Sequence, residues 1–174
     1  GRGGAQEYFD YEADLTVLGK AIGGGTPFAA LLGKSGPMGA IINNGAVHAG
    51  TLNANPLCLA ASNWCLDYLD SLGEDHPGKL KELGQSLMAG IRELADKYEI
   101  PIMIQGPGIA FHTTMLTDPS RSEPVREYRE YVTTHDGPRF AHLRQCLLEE
   151  GVRAIERGLW FMSLAHTEAD VHET

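Results

Sequence analysis

The sequence predicts an α/β chain, or an α+β chain in two layers, and three observations carry that expectation. Short apolar runs bounded by Gly and Pro occur at 15–18, 28–32, 102–105, 109–115 and 159–164; their length and branching suit strands. Two longer stretches, 55–72 and 79–98, and a third at 140–149, instead repeat apolar residues every three or four positions, the period of a helix with one buried face. The resulting order, β, β, α, α, β, β, α, β, lets helices cover sheet. With 174 residues, 43% of them hydrophobic, the chain can build one ordinary domain or part of a larger two-domain enzyme.

Taken in order, Leu15 to Leu18 leads into Gly19-Lys20, and Gly23-Gly24-Gly25 with Pro27 then interrupts regular structure, so a strand is followed by a loop. Phe28 to Leu32 resumes as a second strand. Pro37 to Asn44 reads as a short turn or helix, and loop continues to about Gly50. Asn55 can cap a helix and Pro56 suits its first turn, with Leu59, Trp64, Leu66 and Leu69 continuing the pattern to Leu72. Gly73 to Gly78 marks a boundary. Lys79 to Tyr98 is a second amphipathic helix through Leu80, Leu83, Leu87, Ile91 and Leu94.

After Pro101 come two strands, 102–105 and 109–115, joined by a Gly-Pro-Gly turn. The polar stretch Asp118 to Gly137, with Pro119 and Pro124, reads as loop over a surface or the mouth of a site. Phe140 to Glu149 is a third helix, stopped by Gly151, and Leu159 to Leu164 a last strand. Thr167-Glu168-Ala169-Asp170 has the hydroxyl and acidic first turn of a helix start. Only four residues follow, too few for a helix that stands alone, so the sequence is expected to be cut off at its C-terminus.

Composition excludes several function classes. Against 23 acidic residues stand 14 Lys and Arg, a formal net charge of −9, which disfavours a general grip on nucleic acid or an anionic membrane. No run approaches the roughly 20 apolar residues of a spanning helix, and the first seven residues lack the apolar core of a signal peptide, so a cytoplasmic protein is expected. Cys58, Cys65 and Cys146 are odd in number and form no C-x-x-C, which argues against a disulfide framework or a zinc site. Cys58 and Cys65 fall on one helical face, as buried small hydrophobes would. The seven histidines show no i, i+4 pair and no carboxylate at motif spacing, so no metal site is expected. Neither Gly33-Lys34 nor Gly19-Lys20 completes a nucleotide-binding loop, because Phe28 and Asp14 stand where its first glycine must be.

The segment Asp14 to Gly25 carries the chemistry. A lysine held at a strand end and desolvated by apolar neighbours has a lowered pKa, and as a free amine it forms Schiff bases. The glycines after it leave room for a planar ring. Such a lysine is also the natural base for moving a proton between a substrate α-carbon and a cofactor. On the residues alone the alternative is an ordinary turn, where Gly-Lys followed by glycines also occurs.

Asp14-Leu15-Thr16-x-Leu18-Gly19-Lys20-x-Ile22-Gly23-Gly24-Gly25, followed by Pro27 and a small-residue strand, resembles the cofactor-lysine signature of the class-III aminotransferases. Ala49-Gly50-Thr51-Leu52-Asn53-Ala54-Asn55-Pro56-Leu57 resembles that family's next motif at the expected distance. Gly3 to Phe9 is similar to the segment before the lysine strand, and Gly158 to Thr167 to the closing strand and helix start, so the resemblance covers almost the whole chain. The nearest branch contains glutamate-1-semialdehyde aminomutase and related transaminases.

The resemblance implies a fold-type-I transferase dependent on pyridoxal 5′-phosphate, present in part: residues 1–74 as the C-terminal part of the cofactor-binding large domain, and residues 75–174 as an apparently truncated small α+β domain. It implies Lys20 as the catalytic and cofactor-binding lysine, and Thr51 as the hydroxyl that bonds the cofactor phosphate of the other subunit in a homodimer. The substrate would be a small amine or amino acid. The family's aspartate that holds the pyridine nitrogen falls before anything present here, since Asp10 and Asp14 are too close to Lys20.

Three functions follow from the family: amino-group transfer by a transaminase or aminomutase through a Schiff base on Lys20, a racemase or decarboxylase on the same fold, or a non-catalytic remnant or dimer-forming module. Of the other polar residues, His48 either lines the cofactor pocket or belongs to a solvent-facing loop, and His166 has a structural role. Arg153 and Arg157 either bind a substrate carboxylate or sit on the surface, where the Arg121 to Arg129 cluster also belongs.

Overall fold

The computed structural model describes residues 3–43, 45–73 and 76–174. They divide into two compact units, Gly1–His76 and Pro77–Thr174. Gly1, Arg2, Asn44 at the end of the expected 37–44 element, and Glu74 and Asp75 in the expected boundary lie outside the described residues.

The first unit contains α1 (Gly4–Tyr8), β1 (Leu15–Gly19), a single 3-10 turn (Lys20–Gly23), β2 (Ala29–Gly33), α2 (Ser35–Ile42) and α3 (Pro56–Ser71). β1 and β2 form an antiparallel ribbon from Leu15 opposite Gly33 to Gly19 opposite Ala29. The Gln6 side chain anchors the ribbon's start, accepting from the Ala13 N–H at 2.6 Å and donating to Thr16 Oγ1 at 3.1 Å. Asn55 caps α3 by accepting from the N–H groups of Leu57 and Cys58, and Pro56 begins its first turn.

The second unit is a three-stranded antiparallel sheet, order β3-β4-β5, with β3 (Ile102–Gln105), β4 (Ala110–Met115) and β5 (Leu159–Phe161). Around it lie α4 (His76–Lys97), α5 (Tyr128–Thr134), α6 (Gly137–Glu149) and α7 (Glu168–Glu173). The core joins Leu87 and Met88 of α4 to Ile104 and Phe111 of the sheet, with Ile91, Trp160, Met162 and Val171 packed against it. Phe111 and Trp160 stack at 5.7 Å. α4 approaches the Gly106-Pro107-Gly108 turn so closely that a side chain at Gly84 would run into the Gly108 carbonyl. Arg92 adds a hydrogen bond to the Ile104 carbonyl at 2.9 Å. Thr167 and Asp170 form a reciprocal capping box at the start of α7.

Several expectations need correction. Residues 20–23, expected as loop, wind into a 3-10 turn, and α1 was not foreseen. The 118–137 stretch, expected as loop throughout, contains α5. The last strand stops at Phe161 rather than Leu164, because Ser163 and His166 turn the chain through the bond from the Ser163 N–H to His166 Nδ1. Leu94 is exposed, since the buried face of α4 runs through Gly84, Leu87, Met88 and Ala95. Cys58 and Cys65 are half-buried. Among the described residues no helix is long and apolar enough to cross a membrane.

Candidate functional site

Lys20 sits where β1 ends and the 3-10 turn begins, with φ +56°. This left-handed conformation costs an L-residue about 1–2 kcal/mol. Among the described residues only Asp10, Ala54 and Glu99 share it without being glycine. Asp10 and Glu99 lie just past the ends of α1 and α4, where a left-handed residue is an ordinary way to stop a helix. Lys20 instead opens a turn, and Ala54 lies three residues after Thr51.

The glycines that follow have packing reasons. Gly24 has φ +57° and lies against α3, where an added Cβ would sit 2.9 Å from Cys65 Sγ and 3.3 Å from the Ala61 carbonyl oxygen. A Cβ at Gly23 would meet Phe28 Cβ at 3.1 Å. Gly25, at φ +86°, has open space beside it. Thr26 closes the turn, its hydroxyl donating to the Gly23 carbonyl at 2.6 Å. The backbone around Lys20 is therefore set by close packing of the turn on α3.

The lysine itself is exposed. The expected desolvation by apolar neighbours is not found in this chain, because the ribbon is only two strands wide and its own side chains are open to solvent: Val17 is 75% exposed and Leu32 47%. Thr51 is also exposed, in the turn that leads from Gly50 to the Asn55 cap. Among the described residues neither the Lys20 amine nor the Thr51 hydroxyl has a hydrogen-bond or ion-pair partner. The structure does not bring the two into contact. His48 is exposed in the same loop.

The second unit has a cavity of about 600 Å³. One rung of the sheet forms part of its lining, with Gln105 opposite His112 and His112 opposite Leu159. Tyr131 of α5 meets the His112 ring edge-on at 5.3 Å, and Arg157 lines the cavity just before β5. His112 Nδ1 lies 3.0 Å from Thr114 Oγ1. Burial holds the His112 pKa below the usual 6.5, with a hydrogen bond to the Arg157 backbone opposing it and the neighbouring His135 reinforcing it. His135 is lowered mainly by burial, and its Nδ1 has no hydrogen-bond partner. Burial also raises the Tyr131 pKa above 10.

Of the two arginines considered from sequence, both exposed, only Arg157 lines this cavity. His166 has the expected structural role, with Nδ1 accepting from the Ser163 N–H at 2.9 Å. Sequence reasoning missed Gln105, His112 and Tyr131. The first two could have been found as polar residues on adjacent strands that a tight Gly-Pro-Gly turn brings face to face.

Comparison with known proteins settles the family. The family model described as aminotransferase class-III matches residues 1–166. The chain belongs to the class-III aminotransferase family. Among solved class-III relatives, an omega-transaminase from Sphaerobacter thermophilus is 26% identical, with a TM-score of 0.80. A beta-phenylalanine aminotransferase from Variovorax paradoxus is 27% identical, with a TM-score of 0.79. In each case 98% of this chain is covered and 38% of the other. A glutamate-1-semialdehyde aminomutase from Pseudomonas aeruginosa, at 24% identity and a TM-score of 0.81, shares the fold over 99% of this chain and 39% of its own. This class-III chain thus has the mixed α/β fold of these aminotransferases and spans 38% of the length of the first two.

Proposed function

We propose that this chain carries the cofactor lysine of a pyridoxal-phosphate-dependent transaminase or aminomutase, with Lys20 as the residue that holds the cofactor and Thr51 as a donor to its phosphate. The observation that carries the reading is the Lys20 backbone, a strained left-handed lysine whose amine has no partner among the described residues. Strain of this kind persists where surrounding packing imposes it, and it gathers at functional sites. The packing here is that of Gly23 and Gly24 against Phe28 and α3.

The residues present fit the group. An unpaired primary amine is the attachment point an aldehyde requires, and an unpaired hydroxyl in an exposed turn is a suitable phosphate donor. When bound, the cofactor supplies an electron sink for breaking bonds at a substrate carbon. Lys20 Nζ would hold it covalently and, once released, carry a proton to or from that carbon. Thr51 would serve the phosphate of a second copy, making a homodimer the working unit. In this reading the first unit is the C-terminal part of the large cofactor domain and the second the small domain of a cytoplasmic enzyme acting on a small amine or amino acid.

A second reading, a dimer-forming module without chemistry of its own, draws on the apolar surface of the first unit, where Val47 is 93% and Leu57 72% exposed. One experiment separates them. The chain is incubated with pyridoxal phosphate, reduced with borohydride, and the modified peptide mapped by mass spectrometry. The lysine reading expects labelling concentrated at Lys20 and lost in Lys20→Ala. Labelling spread evenly over exposed lysines would leave the module reading.

A further inference from the structure

We propose that residues 118–134 form a lid over the cavity of the second unit, and that this lid lets go of the sheet when His112 and His135 take up protons. The inference rests on that unit alone and is independent of any chemistry at Lys20.

The lid is held at three places. At its neck the Thr134 carbonyl accepts from the Thr117 N–H at 2.9 Å and from the Thr117 hydroxyl at 3.1 Å, while the Met115 carbonyl accepts from the Asp136 N–H at 2.8 Å. In its middle Tyr131 of α5 meets His112 of β4 edge-on at 5.3 Å. Near its tip the Gln105 amide donates to the Val125 carbonyl at 3.2 Å and accepts from the Val125 N–H at 3.0 Å. Between these points the lid supplies Val125, Arg126, Glu127, Tyr128 and Tyr131, five of the nine residues that line the cavity. Lifting it removes that wall.

Two of the three attachments contain an imidazole. His135, at the neck, lies nearly parallel to Tyr131 at 4.7 Å and against Phe140 of α6 at 5.2 Å. The Tyr131 ring therefore has His135 stacked on it and His112 set edge-on to it. His135 Nδ1 is buried without a hydrogen-bond partner. A proton there creates a buried donor, whereas an open lid hands the same donor to water.

The surrounding groups do not offset this. Burial is the largest influence on both rings and favours the neutral form. The Asp136 carboxylate and the Met115 backbone oppose it at His135, and the Arg157 backbone opposes it at His112, where a charge on His135 acts with burial. Around His112 the cavity adds Arg126 and Arg157 against Glu127, with neutral Gln105 from β3 and Leu159 from β5. Glu130 of α5 is paired with Arg121, and Asp136 also caps α6. Both rings thus stay neutral under a closed lid to a pH below 6.5 and return towards 6.5 when it opens. The closed form is fully favoured above that pH and loses ground as pH falls. At pH 5.5 each histidine raises the open population by up to about elevenfold, and the two together by up to about 120-fold.

The test is hydrogen exchange of the whole chain at pH 7.5 and 5.5, read by mass spectrometry and corrected for intrinsic rates. Protection of 128–134 should fall about tenfold or more at the lower pH, while 87–95 of α4 stays at least tenfold better protected than α5. His135→Phe, which keeps an aromatic ring beside Tyr131, and His112→Gln should each reduce the fall, and the double variant should abolish it. Gln105→Leu should speed exchange of the lid by the same factor at both pH values, because its clasp does not titrate. The proposal is overturned by protection of 128–134 that is equal at both pH values. Exchange of α5 and α4 at one common rate, or an undiminished fall in both single histidine variants, would overturn it too.

Discussion

Replacing Lys20 with glycine should stabilise the first unit relative to replacing it with alanine. At φ +56° an L-residue bears a penalty of about 1–2 kcal/mol that glycine escapes. Glycine in turn loses about 0.5–1 kcal/mol more chain entropy than alanine on folding. At mid-range the difference leaves Lys20→Gly ahead of Lys20→Ala by roughly 0.75 kcal/mol. An exposed mid-helix site such as Glu93 in α4 has the opposite sign, with glycine behind alanine by about 1 kcal/mol. Trp64 lies in the first unit and the chain has one other tryptophan, Trp160. Urea unfolding followed by Trp64 fluorescence in a Trp160→Phe background therefore reads the first unit. If Lys20→Ala proves as stable as Lys20→Gly, the backbone there is unstrained and the functional argument built on it fails. If glycine is the more stable, the parent keeps a lysine at a cost in stability, as a site selected for chemistry does.

Three further outcomes concern the second unit. His112 and His135 both titrate below their usual 6.5 in the folded state, so the unfolded chain binds more protons as pH falls past that value. Their contribution is then fully present above pH 6.5 and lost as pH falls through the folded values; a urea midpoint that drops from pH 7.5 to 5.5, and drops less in His135→Phe, is expected. Gly158→Ala should cost about 3 kcal/mol, because φ is +71° and a Cβ would run into the Thr113 carbonyl; a thermal melt near wild type would refute that packing. Gln105→Leu removes both bonds to Val125, about 1–2 kcal/mol of support, and should speed tryptic cleavage after Arg121 and Arg126 while α4 stays protected.

How much was legible depended on whether the cause was local. Asn55 and Pro56 announced the start of α3 because capping is a property of adjacent residues. The Gly-Pro-Gly turn was readable for the same reason, with Gly106 at φ +143° and Gly108 at φ +88°. α5 was not, since Tyr128-Arg129-Glu130-Tyr131-Val132-Thr133-Thr134 has only two good helix formers, Arg129 and Glu130, beside two tyrosines and three β-branched residues. Tertiary bonds flank it: Thr117 N–H to the Thr134 carbonyl at 2.9 Å, and Asp136 N–H to the Met115 carbonyl at 2.8 Å. Lys20 and Thr51 stood out through family motifs, whereas the second cavity also needs Leu159, far along the chain from His112, and the Gln105–Val125 bonds that span 20 residues, which no local pattern encodes.

Helical spacing says which residues of α3 are apolar, but not which of them find a partner. Cys58, Ala61, Ser62, Cys65 and Leu69 fall on one side of α3 and are the residues with reduced exposure. Leu57 and Trp64 lie on another, 72% and 65% exposed, and Trp64 stacks on Tyr68 at 5.4 Å along that second stripe. Leu59 and Leu66, also exposed, make a third. A helix apolar on several sides is the kind that packs between layers, yet among the described residues the first unit fully buries only Gly23 and Ser62. So large an uncovered apolar surface marks an interaction site or an aggregation hazard. The isolated chain should therefore bind an apolar dye strongly and self-associate as its concentration rises, as read by light scattering. Trp64→Gln with Leu57→Gln should reduce both while leaving the far-ultraviolet circular dichroism unchanged, because neither side chain supports the buried face of α3. A monomer at all concentrations, with no dye binding, would mean that this surface is covered within the chain and would remove the structural support for a homodimer.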